Sequence, residues 1–266
     1  MNQKASRIFP NFGSKVSTHY HIPPPPRGTF ASFSDTLLTL KQRFSTDDLS
    51  TKKVITLAGV ACGGKSQVAL EFCYQAQSEG LFGAIFWVKA ASTTSIEKGL
   101  NGIAETFNIS KEDPAESKLG TLKAILSAWP YPYLLVFDNY NSGDSIRDLE
   151  TYIPSGPQGS VLFTRKSPGL KAVSQDTTVH LPALRLQDAV ELLLKRSAVA
   201  QTDKNYEQGV KLALALNKIP RAILQAGSYI KKHRITMHAY LNMLEKGDAR
   251  TVAWLVNEFR AEDRSC

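Results

Sequence analysis

The octapeptide Gly59-Val60-Ala61-Cys62-Gly63-Gly64-Lys65-Ser66 constrains the fold of this 266-residue chain more than any other feature. It satisfies the spacing G-x-x-x-x-G-K-[ST] and stands between an apolar run, Lys53–Ala58, and a helical pattern over Ser66–Gln77. A concave ring of backbone N–H groups binds an anion only where side chains leave the approach open. Gly59, Gly63 and Gly64 permit such a backbone, and the following helix turns its positive end towards the anion. Lys65 is then placed to reach the outer phosphates of a bound polyphosphate, and the Ser66 hydroxyl to ligate Mg²⁺. An ordinary glycine-rich turn is the bland alternative, and it gives no reason for a strand and a helix to flank it.

Such a unit needs a sheet to stand in, and the rest of the sequence supplies one. Ala84–Val88 (AIFWV), Tyr133–Phe137 (YLLVF) and Ser160–Phe163 (SVLF) read as buried strands, with Val179–Leu181 as a further short one. Between them, Ser95–Phe107 (started near Ser92–Ser95) and Leu119–Ala128 read as helices. This alternation implies right-handed crossovers and an α/β fold, the three-layer parallel sheet of a P-loop NTPase. Ahead of it, Phe33, Leu37, Leu38, Leu40 and Phe44 suit a helix over Phe30–Phe44 capped by Ser34. After Leu181 the strands stop. Leu186–Ser197, Tyr206–Asn217, Ala222–His233 and Met237–Lys246 read as a C-terminal four-helix subdomain. The expected division is a flexible or draped arm over 1–29, a nucleotide-binding domain over 30–181, a helical subdomain over 182–250 and a remainder over 251–266. The arm ends in Pro23–Pro26, an extended polyproline run.

Composition narrows the partners. No stretch approaches the roughly 20 apolar residues of a membrane helix, so no membrane partner is expected. Cys62, Cys73 and Cys266 form no C-x-x-C pair, which argues for a reducing compartment and against a zinc or disulfide framework. The net charge of +8 is concentrated in the arm and in residues 195–234. That basic segment reads as a solvated helix face in preference to a nucleic-acid surface. The arm resembles a mitochondrial transit peptide in being basic and free of acid, but Pro10 and the proline run spoil a long amphipathic helix, and a cytoplasmic location is expected.

Two further strand ends carry chemistry. Tyr133-Leu134-Leu135-Val136-Phe137-Asp138-Asn139 is an apolar strand ending in Asp, the way P-loop proteins bring a carboxylate near Mg²⁺; the alternative for Asp138 is a turn starter. Asp138 is the one candidate for a catalytic role. The next residue is Asn139, which cannot accept a proton, so no general base is evident there, and nothing places Asp144 or Asp148 at the reacting phosphate. In Ser160-Val161-Leu162-Phe163-Thr164-Arg165-Lys166, Thr164 and Arg165 are positioned to sense a γ-phosphate, or else are ordinary residues at a strand end.

Together these motifs resemble the NB-ARC branch of STAND-type NTPases, especially the fungal NLR-like proteins. VITLAGVACGGKSQVALEF is similar to the family's first strand, Walker A loop and helix, and GAIFWVKAAS to its second strand. YLLVFDN is similar to its Walker B strand, GSVLFTRKS to its sensor strand, and ALNKIPRAILQAGSYI to its helical-domain GxP motif. The resemblance implies ADP at rest and ATP on activation, with Mg²⁺. It implies nucleotide contacts from Gly59, Val60, Cys62, Gly63, Gly64, Lys65, Ser66, Gln67, Thr164, Arg165 and Pro220, and metal contacts from Ser66 and Asp138. Pro220 is implied to touch adenine, beside its plainer role as the first residue of a helix.

The departures are specific. Ala61 and Cys62 replace usual loop glycines, and either Arg165 or Lys166 could fill the sensor-arginine role. Asn217 or Lys218 stands where the GxP glycine is usual, and Arg221 replaces its leucine. Gly28–Asp35 resembles the family's F-x-G-R segment without the arginine. Thr251–Phe259 resembles the first winged-helix helix, so the histidine that locks ADP from that domain is expected to be missing, together with effector and repeat domains. Cys62 could be a redox-sensitive thiol, or simply a small residue tolerated in the loop.

The expected function is an ADP/ATP-binding switch with at most slow hydrolysis, forming homo- or hetero-oligomers with NLR-like proteins. In it the helical subdomain is expected to close over the nucleotide. An active P-loop ATPase, or an interaction protein that no longer binds nucleotide, are the alternatives.

Overall fold

Apolar runs four or five residues long can be buried on both faces only in a sheet covered by helices on each side. The computed structural model bears this out; it describes residues 19–25, 33–45, 52–109, 114–140, 149–166 and 178–247. Six strands pair in parallel in the spatial order β1-β3-β4-β5-β2-β6: β1 His19–His21, β2 Val54–Gly59, β3 Ala84–Lys89, β4 Tyr133–Tyr140, β5 Gly159–Lys166 and β6 Thr178–His180. The helices among them are α1 Ser34–Phe44, α2 Lys65–Glu79, α3 Thr93–Thr106 and α4 Ala115–Ser127.

The two faces of the sheet are built from alternate residues of the same strands. On one face Phe86, Val88, Tyr133, Leu135, Phe137, Val161 and Phe163 pack with Ile96, Leu100 and Ile103 of α3 and Leu122 and Leu126 of α4. On the other lies α2, which packs against β2, β4 and β5 and in turn carries α1, where Phe44 stacks on Phe72. The start of α3 is fixed by a reciprocal capping box, in which Ser92 Oγ accepts from the Ser95 amide and Ser95 Oγ from the Ser92 amide. Such a cap stabilises a helix by about 1 kcal/mol.

Three details differ from the sequence expectation. Residues 19–21, expected to belong to a flexible or draped arm, form an edge strand on β3, with the His19 ring against Phe107 and Trp129. The first prolines are tethered through Tyr74, whose hydroxyl donates to the Pro23 carbonyl at 2.6 Å. A three-residue His-Tyr-His segment carries no alternation from which a strand could be read. Strand β4 runs on through Asp138 and Asn139 instead of ending at Phe137, and β5 runs on through Lys166. Helix α1 starts at Ser34 among the described residues. The segment Gly28–Phe30, the acids Asp144 and Asp148, and the expected helix over Thr251–Phe259 lie outside the described residues.

The described residues fall into two units. The first is the sheet with α1–α4. The second holds residues 182–247 together with Phe33 and Cys62–Gly64. Its helices are α5 Leu186–Ser197, α6 Asp203–Ala215, α7 Pro220–His233 and α8 Met237–Glu245. Helices α5 and α7 approach closely because Gly227 has no side chain, since a Cβ there would lie 2.7 Å from Arg196 Cβ.

Candidate functional site

Strand β2 ends at Gly59 and α2 opens at Lys65, so the turn between them occupies the carboxyl edge of the sheet, the edge where open α/β folds bind ligands. Gly59 leaves little room for a side chain. A Cβ would stand 3.1 Å from the Leu181 carbonyl oxygen, 3.2 Å from Leu181 Cβ and 3.7 Å from Lys65 Cδ. Gly64 takes a φ of +93°, which L-residues rarely adopt, and Cys62 takes φ 59°. None of the loop and turn backbone hydrogen bonds among the described residues has its donor between Val60 and Gly64. Phosphate-binding turns of this kind present backbone N–H groups to the anion.

Lys65 is buried, and its Nζ donates to the Gly59 carbonyl at 3.1 Å and to the Val60 carbonyl at 2.7 Å. The ammonium is thus held at the mouth of its own loop. Ser66 is exposed and Gln67 half-buried at the start of α2, and the first turn of that helix carries no acid to oppose an anion.

At the end of β4, Asp138 Oδ1 accepts a 2.6 Å hydrogen bond from the Thr164 hydroxyl, and Thr164 Oγ1 accepts one of 2.8 Å from the Asn139 amide. Asn139 makes this possible by adopting φ 61°, at the point where the β4–β5 register breaks between Phe137 and Tyr140. Asp138 Oδ2 accepts no hydrogen bond and forms no ion pair among the described residues. Asp138 faces α2: burial pushes the Cys73 thiol of that helix up, and the Asp138 carboxylate adds to the effect. Cys73 is thereby kept a neutral thiol.

The donor set suits magnesium, a hard cation that takes oxygen ligands, needs near-octahedral geometry and is usually bound by one or two protein groups plus substrate phosphates. Ser66 and Asp138 are the candidate protein groups at this edge. Among the described residues no cluster of three His, Cys, Asp or Glu could chelate a metal unaided, so the phosphates would have to complete the shell.

Strand alternation separates the two sensor candidates. Gly59 and Lys166 are Cα partners in the regular β2–β5 pairing, as are Leu57 and Thr164, and partners on parallel strands point to one face. The Gly59 Cβ direction leads to the Lys65 stem, so Lys166 and Thr164 emerge on the face of Lys65 and α2. Arg165 lies on the opposite face with Phe163, and is 7% exposed. Thr164 and Arg165 therefore do not converge. Lys166 is exposed. Period-2 alternation would have put Lys166 on the face of Lys65 from sequence, had the strand been continued past Phe163.

In the second unit, Pro220 is buried as the first residue of α7, and a Cβ on Gly64 would lie 3.8 Å from its Cγ. The residues before it, Asn217 and Lys218, both hold left-handed backbone, φ 52° and 54°. A glycine would take that conformation without strain, which accounts for the glycine usual in this motif. Arg221 Nη1 lies 4.0 Å from Cys62 Sγ.

Comparison with known proteins agrees with this geometry. The Walker-type ATPase PABY2304 of Pyrococcus abyssi superposes with a TM-score of 0.55 at 15% identity, covering 91% of this chain and 79% of that one. The ORC2 protein of Aeropyrum pernix gives 0.54 at 17% identity, covering 86% and 70%. At these identities the likeness is one of fold. An NLR-like protein of the fungus Hyaloscypha variabilis is 27% identical over 212 residues, which is 72% of this chain and 21% of the relative. The chain thus spans about a fifth of that relative's length. The NB-ARC domain model matches residues 34–204, from the helix before the sheet to the start of α6, and the chain belongs to the NB-ARC family.

Proposed function

We propose that this chain is the switch module of an NLR-like signalling NTPase, taking ADP or ATP with Mg²⁺ and hydrolysing ATP slowly or not at all. The observation that carries the reading is the buried Lys65 ammonium lodged on the carbonyls of a glycine-bounded loop at the start of α2. A phosphate group there would meet that charge, the loop amides and the positive end of the helix together. The family match supports nucleotide binding, and the ORC2 neighbour is described with ADPNP and ADP. Gly59–Gln67 would cradle the phosphates, with Ser66 and Asp138 on the metal. When bound, Mg²⁺ would neutralise phosphate charge. Lys166, on the face of Lys65, would meet the γ-phosphate in place of Arg165, and Pro220 would touch the base.

Slow turnover follows from Asn139. It stands where a second acid would orient water, its side chain cannot take a proton, and its backbone amide is engaged by Thr164. Steady-state phosphate release should run at roughly 10⁻³ per second or slower, the range of P-loop proteins lacking a completed catalytic set. Turnover above about one per second would make the protein an active ATPase instead. A cytoplasmic setting, a role in signal transduction as in innate immunity, and assembly with NLR-like chains are parts of the same proposal.

A further inference from the structure

We propose that Thr164 is a positioning residue for the metal-binding carboxylate of Asp138, and that it does not itself contact nucleotide. The inference rests on the nucleotide reading above and extends it to a residue whose expected role was phosphate sensing.

A threonine hydroxyl has one proton to give. Here it goes to Asp138 Oδ1 at 2.6 Å, while the oxygen accepts the Asn139 amide at 2.8 Å. The side chain is 1% exposed, so the hydroxyl is closed off from solvent and engaged on both sides. The bland account is a buried strand hydroxyl satisfied by whatever lies nearby. Against it stands the backbone. Asn139 adopts φ 61°, and the β4–β5 ladder is interrupted between Phe137 and Tyr140, so that a main-chain amide is aimed at this side chain. Asparagine takes this backbone more readily than most residues, and here it turns the main-chain amide onto the Thr164 oxygen.

The consequence lies in which oxygen is left. With Oδ1 held, rotation of the carboxylate is fixed and Oδ2, which has no partner among the described residues, is the oxygen left for a cation. Magnesium tolerates little angular error, so a carboxylate free to rotate would bind it less well. Groups that orient metal ligands typically change metal affinity by 10- to 100-fold when removed.

The test is equilibrium binding of a fluorescent ADP analogue to the full chain, in EDTA and in Mg²⁺, for wild type, Thr164→Val, Thr164→Ser and Thr164→Ala. The quantity read is the ratio of the two affinities. Thr164→Val should lower the Mg²⁺ enhancement about tenfold, and Thr164→Ser should restore it. If the valine variant does not fold, the serine and alanine variants decide the question in the same way. A wild-type enhancement in the variants lacking the hydroxyl overturns the inference alone. Failure of wild type to bind in either buffer overturns the nucleotide reading and this inference with it.

Discussion

Lys65→Ala is expected to remove nearly all of the thermal stabilisation that ADP confers. A ligand that binds only the folded state stabilises it by RT ln(1 + [L]/Kd), about 2.7 kcal/mol when ADP is at 100 Kd. For a chain of this size that is a rise in Tm of roughly 5–10 °C. Alanine deletes the one side-chain cation within the loop motif, and a charge-assisted contact to phosphate is worth about 1.5–3 kcal/mol, or 10- to 150-fold in affinity. At a 100-fold loss, the same ADP concentration would stabilise the variant by only about 0.4 kcal/mol, a shift near the resolution of a thermal melt. The variant's own Tm serves as the baseline, because Lys65 also bonds the Gly59 and Val60 carbonyls and its removal alters the loop without ligand. Equal ADP-induced shifts in wild type and variant would place the nucleotide elsewhere.

The largest expected effect on stability lies away from the site, at Gly156. It is buried against the last turn of α4, where an added Cβ would collide with the Ser127 carbonyl oxygen and come within 2.8 Å of Ser127 Cα and 2.9 Å of its carbonyl carbon. All three are backbone atoms, so no side chain can swing aside. The segment is also tied down: the Ser155 amide donates to Ser127 Oγ at 3.1 Å, and Lys123 Nζ to the Thr151 carbonyl at 2.6 Å. Gly156→Ala should therefore cost about 3 kcal/mol, the upper end for overpacking a core, and lower Tm by roughly 6–12 °C. Gly120→Ala provides the control. Gly120 is an exposed residue inside α4 with nothing within 4 Å of its Cβ position, so alanine there should leave Tm unchanged or raise it. A Gly156→Ala chain that melts with wild type would mean the α4 terminus gives way easily.

Long apolar runs and their punctuation carried most of the fold. The stretches 84–88, 133–137 and 160–163 are apolar because both faces of their strands are covered, and they are found as β3, β4 and β5, somewhat longer than expected. The helices after residue 181 were readable from their 3.6-residue spacing, and Leu186–Ser197 appears with those same bounds as α5. What escaped was set by tertiary pairing. Residues 19–21 are a strand only because the edge of β3 is there to receive them. The left-handed backbone at Asn139 turns its amide to a hydroxyl 25 positions along the chain.

At the candidate site the loop motif already named Gly59, Gly64, Lys65 and Ser66, since G-x-x-x-x-G-K-[ST] specifies residue types at fixed spacing. The faces taken by Thr164, Arg165 and Lys166 were not readable in the same way. They depend on how far β5 extends, which decides the face each side chain takes. The composition of the helical subdomain likewise gave no sign that Asn217 and Lys218 would both take positive φ.

Equilibrium titration of ADP with Mg²⁺ into nucleotide-stripped protein tests the central claim most directly. The account predicts saturable binding of one ADP per chain with a Kd of order 1 μM or tighter, equivalent to about −8 kcal/mol. No detectable binding at about 1 mM ADP, by folded protein, would contradict it.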